Sequence, residues 1–185
     1  MTELSSRQIS TQPSDYRIAW WAALAITIHL LESALPSPIP GIKPGLANVV
    51  VVAVLVLYGW RDAVWVGMLR VLVGSLLIGT FLTPTFMLSL AGAMSSLLVL
   101  TLAFQLSRLL PSWGMGPLGY SVLAAQAHML GQFLAAYLIL IPHPALFKLL
   151  PVLMTAALVF GVISGMIAAA MIDKVQKRED GRTGS

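Results

Sequence analysis

Seven acidic residues, Glu3, Asp15, Glu32, Asp62, Asp173, Glu179 and Asp180, are spread over 185 residues, and only Glu32 falls inside an apolar run. Chemistry that holds magnesium on a diphosphate needs clustered carboxylates, and this set cannot supply them. Cysteine is absent, which excludes disulfides, Cys-ligated zinc and thiol catalysis. No Walker sequence, nucleophile elbow or paired-histidine zinc helix occurs. The hexapeptide GMGPLG, residues 114 to 119, spells the glycine fingerprint of a dinucleotide-binding turn. It lacks a preceding strand, carries Pro117 in its middle and joins two apolar runs, so it reads as a tight turn. What remains is a set of polar residues within apolar runs: His29, Glu32, Asn48, Arg70, His128 and Gln132. Such residues are costly in lipid and are therefore candidates for a binding site rather than a catalytic one. Neither a metal nor a cofactor is expected. His29 and Glu32, two ligands on one helix, do not make a coordination shell.

These residues have to be held by membrane helices. Hydrophobic residues make up 58% of the chain and charged ones 10%, with a mean hydropathy of +0.88. A chain of this length has too little interior to hide so much apolar surface from water. Apolar runs near the length that crosses about 30 Å of hydrocarbon cover residues 18–35, 45–60, 63–82, 84–107, 119–141 and 148–172. The expected fold is an all-α integral membrane bundle of six transmembrane helices. In this arrangement Arg7, Arg17, Arg61, Arg108, Lys174, Lys177, Arg178 and Arg182 lie on one side and Lys43 and Lys148 on the other. Basic residues mark the cytoplasmic side, so both termini are expected there, in the inner (cytoplasmic) membrane of the cell. The net charge of +4 is thus a topology signal and not a nucleic-acid footprint. The domain plan is a cytoplasmic tail over 1–17, a membrane domain over 18–173 and a second cytoplasmic tail over 174–185. Residues 1–15 and 174–185 read as disordered, with KVQKRED more a solvated helix end than a lipid contact. A cleaved signal peptide fits the N-terminus less well, because its polar leader is long and His29 and Glu32 interrupt the apolar stretch.

Rise per residue sets relative depth. Arg70 and His128 come out roughly 10 to 13 Å from the cytoplasmic end, with Glu32 and Gln132 at roughly 20 Å and Asn48 near the outer end of its helix. Two levels are therefore expected. Ser121, Ala125, His128, Gln132 and Ala136 form one helical stripe, and Thr85, Ser89, Gly92 and Ser96 another. Between the first two runs, the prolines of ESALPSPIPGIKPGLAN predict a short outer lid over 36–44 that brings Lys43 to the site. Two readings stay open for the charges: Arg70 and Glu32 are either a structural pair or ligand contacts. His128 and Gln132 are equally open between interhelical hydrogen bonding and ligand binding. Ala19 and Ala23, one turn apart, permit close approach of another helix, as do Gly161 and Gly165.

GIKPGLANVVVV, LRVLVGSLLIGTF, SLAGAMSSLLVL and YSVLAAQAHMLGQ resemble, in order, the signature blocks of the heptaprenyl diphosphate synthase component I family, also called the Gx transporter family. The resemblance runs from about residue 19 to 172. That family is similar to the substrate-binding S components of energy-coupling-factor transporters, six-helix proteins that hold a small molecule near the outer side. AWWAA, Ala19 to Ala23, resembles the motif by which S components meet a transmembrane coupling subunit with its ATPases. The resemblance implies a small-molecule ligand; the polar residues themselves place it among Glu32, Lys43, Asn48, Arg70, His128 and Gln132, with the lipid bilayer as surroundings and no nucleic acid. The family's first name implies a rival: a non-catalytic membrane partner of a polyprenyl diphosphate synthase. Two departures from the blocks stand out: Pro44 follows the lysine where an apolar residue is usual, and Met129 follows His128 where asparagine is usual.

Overall fold

The computed structural model describes residues 12–34, 47–110 and 114–183. Among these residues the chain is helical throughout, with six α-helices: α1 (Pro13–Ala34), α2 (Ala47–Tyr58), α3 (Trp60–Ile78), α4 (Pro84–Leu109), α5 (Pro117–Ala135) and α6 (Leu150–Thr183). A π-helical turn, Ala136–Leu140, and a 3-10 turn, Pro144–Lys148, connect α5 to α6. Thr83 caps α4 by accepting from the Phe86 amide, and Pro84 follows where its missing N–H costs nothing.

The helix α2 is the centre of the bundle. It packs against α1, α3, α5 and α6, while α3, α4, α5 and α6 follow one another around it. Its sequence, ANVVVVAVLVLY, has no polar face, and Val49 to Leu55 are all 4% exposed or less. A helix that is apolar all round is a buried helix. With 12 residues it is about 18 Å long, short of a full hydrocarbon crossing. Its apolar run therefore reflects burial inside protein as much as contact with lipid. A single residue, Gly59, turns α2 into α3 at φ +97°, a backbone conformation that a side chain would strain. The break thus comes two residues earlier than the sequence expectation at Arg61 and Asp62.

Three helical stretches are long and apolar enough to cross a membrane: Pro84–Leu109, Pro117–Leu140 and Leu150–Arg178. Their outward faces carry large apolar side chains such as Met94, Leu98 and Leu102 on α4 and Val159, Ile163 and Met166 on α6, all exposed. Such continuous apolar surface belongs in lipid, and the protein is a membrane protein. The other two long helices interrupt their apolar runs with charge: Asp15, Arg17 and Glu32 in α1, and Arg61, Asp62 and Arg70 in α3.

Two local expectations are corrected. Residues 174–183, placed in a tail read as disordered apart from a solvated KVQKRED helix end, continue α6 as one helix, with Lys177 donating to Asp173 one turn away at 2.8 Å. That spacing supports an exposed helix end, and Val175 packs back against the core. Gly119 lies within α5, so of the GMGPLG glycines only Gly114 and Gly116 belong to the connection.

Candidate functional site

Four helices bring polar side chains into one region of the interior. From α1 come His29 and Glu32, the latter 5% exposed. The helix α2 opens with Asn48, 9% exposed, and α3 contributes Arg70, 6% exposed. His128 and Gln132 project from α5. The placement follows from helical spacing: Trp21, Ala22, Ala25 and Glu32 form the buried stripe of α1, and Arg70 lies on the same buried face of α3 as Ala63, Val66 and Gly67.

The two expected levels merge into one. Arg70 Nη1 donates to Asn48 Oδ1 at 3.5 Å, the long end of a hydrogen bond. Glu32 is near enough to Arg70 to act on it electrostatically, and Arg70 and His29 act likewise on His128. The depth estimate used Cα positions, whereas a long guanidinium stem reaches beyond its own turn. Arg70 thereby joins residues expected above it.

The stripe on α5 divides. Its lower half faces α6: a Cβ on Gly165 would lie 3.2 Å from Ser121 Cβ, and one on Gly161 would lie 3.0 Å from Ala125 Cβ. Its upper half faces α4. A Cβ on Gly92 would lie 2.7 Å from Gln132 Cγ and 2.9 Å from both Cε1 and Nε2 of His128. Gly92 is therefore glycine because two polar side chains lie flat on its backbone. Gly161 and Gly165, read as an alternative partner surface, are buried against α5 and belong to internal packing. Ala19 and Ala23 behave oppositely. Both are exposed, beside Trp20 at 71%, and the small-residue strip faces outward. Lys43 and the expected lid over 36–44 lie outside the described residues.

Polar valence is left over in this region. Among the described residues Arg70 Nε and His128 Nδ1 are buried with no hydrogen-bond partner, as are Ser96 and Ser107 Oγ on α4 and Gln126 Oε1 on α5. Buried polar atoms are nearly always matched, so orphans on two charged or chargeable side chains of one polar cluster make this region the candidate site. Among the described residues no group of three or more His, Asp or Glu side chains could hold a metal ion. The apolar hollow along Pro151, Val152, Thr155, Ala156 and Val159 lies on the outer face of α6 alone, away from these groups.

Sequence reasoning missed a second polar cluster. Arg17 donates from Nε (3.0 Å) and Nη2 (2.6 Å) to Asp62 Oδ2, and its guanidinium lies 4.4 Å from the centre of the Tyr58 ring. Trp21 packs on the same tyrosine. The signal was present as two opposite charges on what were expected to be adjacent helix ends on the same membrane side. An aromatic group of Phe133, Tyr137 and Phe147 at the π turn was also missed; a π turn leaves no periodicity to read.

An α-helical membrane protein with charged and polar residues gathered between its helices is the class these features define. The chain belongs to the heptaprenyl diphosphate synthase component I family, whose model matches residues 21–171. Comparison with curated proteins and with solved structures finds no match.

Proposed function

We propose that this protein is the membrane-embedded substrate-binding subunit of a small-molecule uptake system, resembling S components and dependent on a separate energy-coupling partner. The observation that carries the reading is Arg70: a buried guanidinium held by one long bond to Asn48, with Nε unmatched. An unbalanced arginine in the membrane costs at least about 2.5 to 3.5 kcal/mol. Glu32 offsets part of that, and a ligand completing its hydrogen bonds offsets more. In this reading six helices span the inner membrane with both termini cytoplasmic, and 18–173 forms the membrane domain. The lid over 36–44 closes the outer side, with Lys43 above the site. Ala19 and Ala23, exposed on α1, are the surface for a transmembrane coupling subunit that works with ATPases. The chain is not itself catalytic.

The family description favours a second reading, a membrane subunit associated with a polyprenyl diphosphate synthase. Copurification from native membranes separates the two. A coupling subunit with ATPases supports uptake; a prenyl synthase in its place overturns it. Topology is checked separately on this cysteine-free chain: Ser37→Cys and Ile42→Cys should react with an impermeant thiol reagent in intact cells. Reaction only after permeabilisation contradicts the proposed sidedness.

A further inference from the structure

The connection between α5 and α6 has the composition of a membrane span and the backbone of a loop. From Leu138 to Leu149 it reads LILIPHPALFKL, with His143 and Lys148 as its polar side chains. Its apolar side chains face outward: Leu138 is 71% exposed, Ile139 59%, Ile141 53% and Leu149 54%. An outward apolar run of this length gains nothing from water.

Its backbone does not need water either. Pro142 and Pro144 carry no N–H. Ile141 N–H donates to Ala136 O at 2.8 Å across the π turn, and His143 N–H donates to Ile141 O at 2.8 Å. Ala145 N–H donates to His143 Nδ1 at 3.2 Å, and Leu146 N–H to His143 O at 3.0 Å. Leu149 N–H donates to Leu146 O at 3.0 Å and closes the 3-10 turn onto α6. Irregular backbone is kept out of lipid because its polar groups go unmatched there; these donors are matched within the connection itself.

The flanking stretches Pro117–Leu140 and Leu150–Arg178 are each long and apolar enough to cross a membrane, so the connection begins and ends at one membrane face. Its exposed surface continues into Leu130 and Leu134 on α5 and into Val152 and Val159 on α6. Lipid around these helices therefore meets no polar border at the connection. Lys148 is exposed and, among the described residues, in no salt bridge. Leu153 N–H donates to Leu149 O, so the hydrogen-bond ladder of α6 starts directly after Lys148, which precedes Val152 by one helical turn. The hollow lined by Pro151, Val152, Thr155, Ala156 and Val159 follows on α6. A phosphate at the Lys148 ammonium would hang an acyl chain over that hollow, with the lysine stem lying along apolar surface.

We propose that residues 138–149 dock among the phospholipids of one leaflet, at the boundary of headgroups and acyl chains, with Lys148 at the lipid phosphates. The connection is a lipid-binding anchor for the ends of α5 and α6 and not a loop in water. This inference rests on membrane insertion alone and is independent of the binding-subunit reading.

The test uses single cysteines in the otherwise cysteine-free full chain, labelled with an environment-sensitive fluorophore in nanodiscs of phosphatidylcholine and phosphatidylglycerol. Ile139→Cys and Ile141→Cys report on the connection, Leu98→Cys on the lipid-facing middle of α4 and Gln176→Cys on the exposed end of α6. Each replaces an exposed side chain, where substitution leaves the fold intact. The labels at positions 139 and 141 should be at least about threefold less open to iodide than the label at position 176, as apolar groups seated in the interface are. Doxyl lipids carrying the spin near the headgroup should quench them more than those carrying it near the chain end, with the reverse order at position 98. A label on Lys148→Cys should be open to iodide and to the headgroup-side doxyl alike, and one closed to iodide would contradict the placing of Lys148 at the phosphates. Iodide access at positions 139 and 141 equal to that at position 176 puts the connection in water and overturns the proposal. Shielding from iodide and doxyl lipid together means that protein, a second copy or a partner, covers it, and overturns the proposal as well.

Discussion

Arg17 and Arg70 each stand near a carboxylate across the α1–α3 pair, and the two regions treat the guanidinium differently. At Arg17 two N–H groups converge on Asp62 Oδ2 with the Tyr58 ring alongside, and the side chain keeps 39% of its surface. Donors and acceptor are matched. At Arg70 the side chain is buried, Nη1 reaches Asn48 only at 3.5 Å and Nε finds no partner among the described residues. The first arrangement closes the junction of α1 with α3 and explains itself as scaffold. The second leaves a donor unmatched among the described residues. Intramembrane charge is therefore not uniform evidence of function: the matched Arg17 reads as a strut, and the unmatched donor at Arg70 is what supports the proposed site.

The comparison is broken most severely at Arg70. Arg70→Gln should weaken ligand binding by at least about thirtyfold, since truncating one partner of a buried charged contact costs about 2 to 5 kcal/mol. Glu32→Gln should not rescue it. Titration of the single and double variants checks this, and a double variant with wild-type binding would make Arg70 scaffold like Arg17. Next in size is Gly92→Leu, which pushes His128 and Gln132 off the α4 backbone. It should lower stability by about 1 to 3 kcal/mol, read by thermal unfolding, and should weaken binding as well.

Asp62→Asn tests the other side of the comparison. It should cost about 1.5 to 3 kcal/mol of stability as Arg17 loses its charged acceptor, with binding unchanged within twofold. Binding lost in proportion to stability would mean that the two clusters are not separable. Ala19→Trp combined with Ala23→Trp should leave stability within about 0.5 kcal/mol, as surface changes do, yet abolish copurification with the coupling subunit. Retained association would move the partner surface elsewhere.

Much of this was legible in the sequence because lipid makes polar residues conspicuous. Glu32, Asn48, Arg70, His128 and Gln132 stood out against apolar runs, and the structure gathers them in one region. Their mutual heights were not legible, because a helical rise locates Cα atoms and says nothing of how far an arginine stem reaches. The division of the α5 stripe was hidden for a related reason: α4 and α6 both border α5, so Ser121 and His128 share a helical face but not a neighbour. In the sequence Gly92 is one member of the Thr85, Ser89, Gly92 and Ser96 stripe, and only the positions of His128 and Gln132 show why no side chain fits there. The burial of α2 could not be read from its valines, since a protein interior and a lipid tail select the same residues.

The most direct test of the central claim, that the Arg70 cluster is a binding site rather than a strut, is native mass spectrometry of wild-type and Arg70→Gln protein released from the membrane in which each was made. The account predicts a small molecule bound to the wild type and lost from a variant that still unfolds cooperatively near the wild-type temperature. Identical bound masses for the two proteins, or none on either, would contradict it.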